Sequence, residues 1–554
     1  MSSAAPNQPV GILLVLDSRI AKWLFAFLTV VIIGLAFDRP PPDPDYYVYL
    51  DQAKDIASLS ATDQKFPPGY PALLSPLVNL SPTIIEGSAR AINMLAFVAF
   101  GIALLRFCRK YALIGSCVLI AGVLGNRYTI STALNCTSHL PFVALFAWCA
   151  VCTLERRWGW AYLLAVLALS MRYNGVVLPV FVAISQILSH RKEHARLSFG
   201  RIISSLLIAG ICLAPTFAWM KFGTEKGPGD YYKETQLRGA AGPKVAQYVV
   251  AGAAVSFTDE VASNKIIAGE KLPKLLFGFS ALVLFGLALI GAIRAFKMDL
   301  VLGLWLVGSL LWWLVVHSRF AEVGGAYFYS VQTTWMVWLA VTFAISSWIE
   351  SGNRLSQILL LTIAVAAIGG VYSGVALAAA LLVWMMLLWK SRAGIASAVA
   401  ISTALLILTI ATAYQKIYLE NYRPAGEQFL AWANEHPNVL VSPHMLDQWH
   451  GDGVDTSGLV SEELIDGTDL AASLTLRNVK FAAVTSREMD FRSEEEFLKG
   501  HEFFLGPRYK SSLRPYGLLF PIFKQETWKK IEEFRVRDSW VRVYERPDPS
   551  HAKN

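Results

Sequence analysis

Apolar runs about as long as a bilayer-crossing helix recur from Arg19 onward, and this recurrence limits the chain to few architectures. A helix crossing the hydrocarbon core needs about 20 predominantly apolar residues. Runs of this kind occupy Arg19–Phe37, Ser88–Phe107, Tyr111–Leu124, His139–Leu154, Ile202–Met220, Leu272–Ile293, Leu300–Val316, Phe328–Ile349 and Gly394–Tyr414. Two more blocks, Trp158–Leu188 and Leu355–Trp389, are too long for one crossing. Turn-forming residues interrupt both, at Arg172-Tyr173-Asn174-Gly175 and at Gly369-Gly370. Basic clusters flank the first block on both sides (Arg156 and Arg157, then His190, Arg191 and Lys192). Lys and Arg collect in cytoplasmic loops, so both clusters belong on one face and the block reads as a hairpin. Arg354, Lys390 and Arg392 frame the second block in the same way. The total is about thirteen crossings.

An odd number of crossings with the N-terminus in the cytoplasm puts several polar pieces on the opposite face. These are the first loop (38–87), the turn at Arg172, the loop 221–271, the stretch His317–Tyr327 and the C-terminal tail. Composition agrees with a membrane protein, since only 16% of residues are charged, against about 25% in soluble domains. The net charge of +8 then reflects cytoplasmic loops and does not point to nucleic acid. From about Lys416 the composition becomes that of a soluble domain. A helical stretch, Glu427–Asn434, is followed by β-branched runs at Asn438–Val441, Val479–Thr485 and Trp540–Tyr544. The expected architecture is mainly α: a polytopic membrane unit, residues 1–415, followed by a soluble α/β domain, residues 416–554. The first apolar run has no small-residue cleavage site after it, so it reads as a retained span. The six cysteines all lie in or beside apolar runs, which is no disulfide framework. Cys149 and Cys152 form a C-x-x-C inside an expected span and read as a buried pair. Asn135-Cys136-Thr137 has the spacing of a glycosylation sequon.

The first loop is where chemistry can sit. Between Asp38 and Pro71 it carries Asp38, Asp43, Asp45, Asp51, Asp55 and Asp63 against Arg39, Lys54 and Lys65. Asp45, Tyr49 and Ala53 have helical spacing and share one face; Asp51 and Asp55 read as solvated positions of the same helix. Phe66-Pro67-Pro68-Gly69-Tyr70-Pro71 is stiff, because proline fixes φ and removes a donor.

An Asp followed four residues later by Tyr and then by Ala, with a P-P-G-Y-P turn after it in the first outer loop, resembles the GT-C glycosyltransferases. The likeness is to the bacterial branch related to protein O-mannosyltransferases and the aminoarabinose transferase of lipid A, and it covers roughly residues 19–330. It implies a bacterial inner-membrane enzyme that passes a sugar from a polyprenyl-phosphate carrier to a lipid, glycan or protein acceptor on the outer face. It also implies Asp45 as the general base of an inverting displacement, with Asp43 beside it able to share or take over that role. Arg172 and Arg319 match positions where the family holds the lipid phosphate, and Lys65 is a third cation for it. Tyr49, Tyr70, His139, His317 and Glu322 are candidate substrate contacts.

The chain departs from the family pattern at Thr137-Ser138-His139-Leu140-Pro141, where members often carry a Glu. No metal ligands are assigned, and a divalent ion stays open. The plain readings stand alongside: Asp45 as a helix cap, Arg172 snorkelling at a turn, Arg319 paired with Glu322, and the two histidines as interfacial residues. A polytopic transporter or flippase of lipid-linked or sugar substrates is the alternative function. A non-catalytic assembly factor is a third.

Overall fold

The computed structural model describes residues 8–37, 40, 42, 44–60, 66–125, 127–194, 199–222, 286–320, 335–347, 422–441, 445–446, 449, 454–461, 470–485, 528–537 and 539–546. The expected loop 221–271 beyond Phe222 and the expected spans Leu355–Trp389 and Gly394–Tyr414 lie outside these residues.

Among the described residues, four helices are long and apolar enough to cross a membrane: Asp17–Phe37, Pro82–Lys110, Tyr173–Arg191 and Phe199–Trp219. They fall within α1 (Gln8–Phe37), α4 (Pro82–Lys110), α9 (Val177–His194, entered through a 3-10 turn) and α10 (Phe199–Phe222). Between them lie α2 (Pro44–Ser58), α3 (Gly69–Leu74), α5 (Ser116–Leu124), α6 (Arg127–Leu134), α7 (His139–Leu154) and α8 (Trp158–Met171). Helices α11 (286–298), α12 (Leu300–Phe320) and α13 (Trp335–Ser347) follow. Trp23, Val30, Leu95, Trp160, Leu207 and Ile211 are exposed on these helices. Such a wide apolar exterior fits a bilayer and is rare on soluble monomers.

The expected third crossing, Tyr111–Leu124, is shorter than its apolar run. Only Ser116–Leu124 is helical, and the chain breaks beyond Leu124 before restarting as α6. Nine residues rise only about 14 Å, too little to cross alone. The expected interruption at Arg172 is present. Arg172 is extended (φ −151°, ψ 137°), a 3-10 turn covers Tyr173–Val176, and α9 begins at Val177. Gly175 makes the fold-back feasible, because a Cβ there would lie 2.7 Å from the Leu169 Cα.

The bundle has two chemically distinct ends. At one, Arg106 Nη2 donates to Glu155 Oε2 at 2.8 Å, Lys110 Nζ caps the Leu154 carbonyl at 2.9 Å, and Tyr111 donates to Asp299 Oδ2 at 3.1 Å. Asp17 of α1 accepts from the backbone nitrogens of Gly115 (3.1 Å) and Ser116 (2.8 Å), supplying the first turn of α5 with acceptors its own sequence lacks. Arg109, Arg156, Arg157 and Arg191 lie at this same end. The Arg106 guanidinium bonded to Glu155 holds that carboxyl below its ordinary range. Between the ends, the core is aromatic. Phe146 and Phe107 set their rings 5.4 and 5.7 Å from Trp335, and Phe146 lies 5.9 Å from Trp305. Cys149 and Cys152 are buried free thiols, as the apolar reading of that pair expects.

The C-terminal part holds a mixed five-stranded sheet in the order β2-β1-β3-β5-β4. Its strands are β1 (Val439–Val441), β2 (Leu459–Ser461), β3 (Phe481–Thr485), β4 (Lys529–Val536) and β5 (Ser539–Glu545). β1 pairs in parallel with β2 and β3, while β5 runs antiparallel to β3 and β4. Strand alternation sorts the side chains onto two faces. Val439, Val441, Ala483, Val541 and Val543 pack under helix α14 (Arg423–Glu435) with Phe429 and Trp449. Leu440, Val460, Ala482 and Val484 face the other way, towards Leu474.

Glu533 on the edge strand β4 pairs with Lys530, with Arg535 (2.7 Å) and with Arg542 of β5 (3.0 Å). Those hydrogen bonds, Lys530 foremost, hold its carboxyl down to about 2 from 4.5. A depressed carboxylate stabilises the fold above its unfolded value and loses that effect as pH falls through the folded value. Once rates are divided by the intrinsic exchange rate at each pH, hydrogen exchange at β4 and β5 is therefore expected to quicken between pH 4.5 and 2 in the native protein. In Glu533→Gln the increment over that window should be smaller, and equal increments would show that these pairs contribute nothing.

Candidate functional site

The end of the bundle opposite the basic cluster gathers most of the described candidates. Helix α2 starts with Asp45 in its first turn, where a negative charge suits the helix dipole. One turn on, Tyr49 is fully buried, as is Ala53 a turn further. Asp45 is half-buried, whereas Asp51 is exposed and pairs with Lys54 at 2.9 Å. The expected face is thus the one that packs inward. Tyr49 sets its ring 4.6 Å from Phe66 and 5.0 Å from Tyr70, so the P-P-G-Y-P segment forms a lid over the helix. Helix α3 in turn lies on the end of α8. A Cβ at Gly69 would meet the Ser170 carbonyl oxygen at 2.6 Å, so no larger residue fits that approach. Tyr70 is buried and its hydroxyl donates to the Ala89 carbonyl and to Asn93 Oδ1, both at 3.4 Å. Burial pushes its phenol well above the ordinary range, so it serves as a neutral donor.

The centre of the site is Arg172. Its Nη1 donates to Ser138 Oγ at 3.1 Å and to Tyr49 Oη at 3.4 Å, and those two hydroxyls are 2.9 Å apart. The three groups come from the α8–α9 turn, the segment before α7 and helix α2. Arg172 is only 8% exposed, so its charge works where water screens little. His139, the next residue after Ser138 and the first of α7, is buried beside it. Thr137 is also buried, and its Oγ1 has no hydrogen-bond partner among the described residues. Asn135 is 2% exposed, which leaves no room for a glycan on the sequon.

Helix α12 reaches the same end. Trp312 Nε1 donates to the Asn174 carbonyl at 3.2 Å, pinning the helix to the turn that carries Arg172. His317 and Arg319 lie in its last two turns, but their side chains are not among those described. Asp43, Lys65 and Glu322 also lie outside the described residues. The structure therefore brings together Tyr49, Tyr70, His139 and Arg172, with Asp45 one turn from Tyr49, and puts the helix bearing Arg319 at their end of the bundle. Among the described residues, no group of three or more His, Cys, Asp and Glu side chains is arranged to hold a metal ion.

No protein-family model matches the chain, and no curated protein matches it. The chain is similar in structure to ArnT from Cupriavidus metallidurans. The crystal structure of that protein bound to undecaprenyl phosphate matches across 94% of this chain and 97% of that one, with 14% identity and a TM-score of 0.49. Its apo structure matches over the same shares with 14% identity and a TM-score of 0.48. At this identity the likeness is one of fold.

Sequence reading passed over a polar stripe on α4. Glu86, Arg90 and Asn93 are all buried and recur at i, i+4 and i+7 on one helix face. Asn93 Nδ2 donates to the Thr132 carbonyl at 3.0 Å, and Arg90 Nη1 to the Leu134 carbonyl at 2.7 Å. Polar and charged residues inside a membrane span are functional candidates by default, and that signal was present as Arg90 and Asn93 in the apolar run Ser88–Phe107, with Glu86 just before it. Ser138 had no comparable signal, since a lone serine before a helix is an ordinary cap.

Proposed function

We propose that the chain is an integral-membrane glycosyltransferase that takes a sugar from a polyprenyl-phosphate carrier. The observation that carries this reading is the buried Arg172, hydrogen-bonded through Tyr49 to the helix that presents Asp45. A carboxylate one helical turn from the tyrosine that meets a buried guanidinium suits a reaction with a base at one side and an anionic leaving group at the other.

In this reading an acceptor hydroxyl loses its proton to Asp45 as its oxygen attacks the anomeric carbon, and the bond to the lipid phosphate breaks on the opposite side, inverting that carbon. Asp43 is the alternative base. The departing phosphate gains charge and is met by Arg172, with Arg319 and Lys65 as further cations; a planar guanidinium suits its oxygens. Tyr49, Tyr70, His139, His317 and Glu322 are the proposed contacts to sugar and acceptor. The site faces the periplasm, because the basic cluster at the other end belongs in the cytoplasm. The terminal α/β domain shares the site's face, and a lipid, glycan or protein serves as acceptor.

The decisive assay uses the full-length protein in nanodiscs with an undecaprenyl-phosphate-linked sugar and an extract of cell-envelope acceptors. Release of undecaprenyl phosphate with sugar appearing on an acceptor is expected. Movement of the intact carrier between leaflets without cleavage would replace this reading with the flippase alternative.

A further inference from the structure

We infer that Arg423, in the first turn of α14, is a positioning residue: through Glu86 and Arg90 it sets the segment that holds Ser138 against Arg172 and Tyr49. Arg423 reaches the membrane unit from 337 residues away. Its Nη1 and Nη2 donate to Glu86 Oε1 at 2.9 Å and Oε2 at 2.8 Å, a two-pronged contact. The Glu86 side chain is 2% exposed and also accepts from Arg90, one turn along α4.

Arg90 is the branch point. Besides Glu86 it donates to the Leu134 carbonyl at 2.7 Å and to the Pro40 carbonyl of the first loop. Leu134 ends α6, and four residues, 135–138, separate it from α7. Within them Cys136 adopts φ +57°, a left-handed conformation unusual for a residue with a side chain. The Cys136 thiol lies 3.9 Å from the Glu86 carbonyl oxygen. With Asn93 holding the Thr132 carbonyl, α4 grips the end of α6 at two points. The 135–138 turn is thereby aimed, and it ends on Ser138 Oγ at 3.1 Å from Arg172.

Two guanidinium groups share one buried carboxylate, and this division of charge gives the relay its direction. With Arg423 satisfying both Glu86 oxygens, Arg90 gives Nη1 wholly to the Leu134 carbonyl and divides Nη2 between the Pro40 carbonyl and Glu86. Without Arg423, Glu86 would keep its ion pair with Arg90 and draw it away from Leu134 and Pro40. The 135–138 turn would then lose the contact that aims it. Docking of the terminal domain is in this way transmitted to the site.

The test is hydrogen–deuterium exchange on the full-length protein in nanodiscs, with no donor added. In Arg423→Gln the amides of 135–138 are expected to exchange at least about fivefold faster, while β1, β3 and β5 keep their protection. Arg423→Lys, which keeps the charge and loses the two-pronged contact, should fall between. Unchanged exchange at 135–138 in Arg423→Gln would overturn the inference. Should that variant unfold the terminal sheet, Arg423→Lys decides by the same measure. No lipid or sugar enters this measurement, so it stands or falls separately from the glycosyltransferase reading; its consequence for turnover rests on that reading.

Discussion

Asp45→Asn is expected to cut sugar transfer about 10²–10⁴-fold, the range that general-base catalysis supplies. Binding of undecaprenyl phosphate should stay within about threefold of the native protein, a difference under 1 kcal/mol. The separation follows from how α2 is seated. Tyr46, Tyr49 and Ala53 carry its buried face, and Asn suits the start of a helix as well as Asp does. The helix should therefore remain in place while the base is lost. Transfer and binding are measured on the same nanodisc preparation. A fall in both would mean that Asp45 holds the fold or the lipid. Unchanged transfer in Asp45→Asn, with the large loss moved to Asp43→Asn, would hand the chemistry to the neighbouring carboxylate.

Much of the scaffold around that carboxylate was legible because it rests on local chemistry. The Asp45–Tyr49–Ala53 face follows from helical spacing alone. The break at Arg172 follows from charge placement and a turn-forming Asn-Gly, and α7 starts at His139, where the apolar run begins. The three expected strands correspond to β1, β3 and β5, whose β-branched residues are buried on both faces of the sheet. β4 was illegible for the converse reason. Lys529-Lys530-Ile531-Glu532-Glu533-Phe534-Arg535-Val536 carries the charges that protect an edge strand, and these mask its periodicity.

The site itself was only half legible. A residue type and a spacing can nominate Arg172 or Asp45, but they cannot say what meets them. Ser138 matters because a turn 34 residues from Arg172 folds back onto it. Glu86 matters because an arginine 337 residues later reaches it. Pairings over such separations are products of tertiary structure. The legible half of that signal was a charged stripe inside an apolar helix, whose burial demands partners.

Arg172→Gln should weaken undecaprenyl phosphate binding about 10–100-fold. A hydrogen bond to a charged group contributes about 1.5–3 kcal/mol, and each 1.4 kcal/mol is tenfold in affinity. Gln keeps a donor for Ser138 and Tyr49, so the turn retains a partner while the positive charge goes. Arg172→Lys keeps the charge but not the planar fork and should fall between. Ser138→Ala removes one neutral neighbour of the guanidinium, worth about 1 kcal/mol, so its effect should be about fivefold. The phosphate is the discriminating group: undecaprenol, with the same tail and no phosphate, should bind the native protein and Arg172→Gln alike. Because Arg172 is buried, the loss should persist in high salt, where an exposed arginine would already be screened. If instead the native protein bound undecaprenol as tightly as undecaprenyl phosphate, affinity would come from the lipid tail alone. Arg172 would then be a structural link between α2 and the α8–α9 turn.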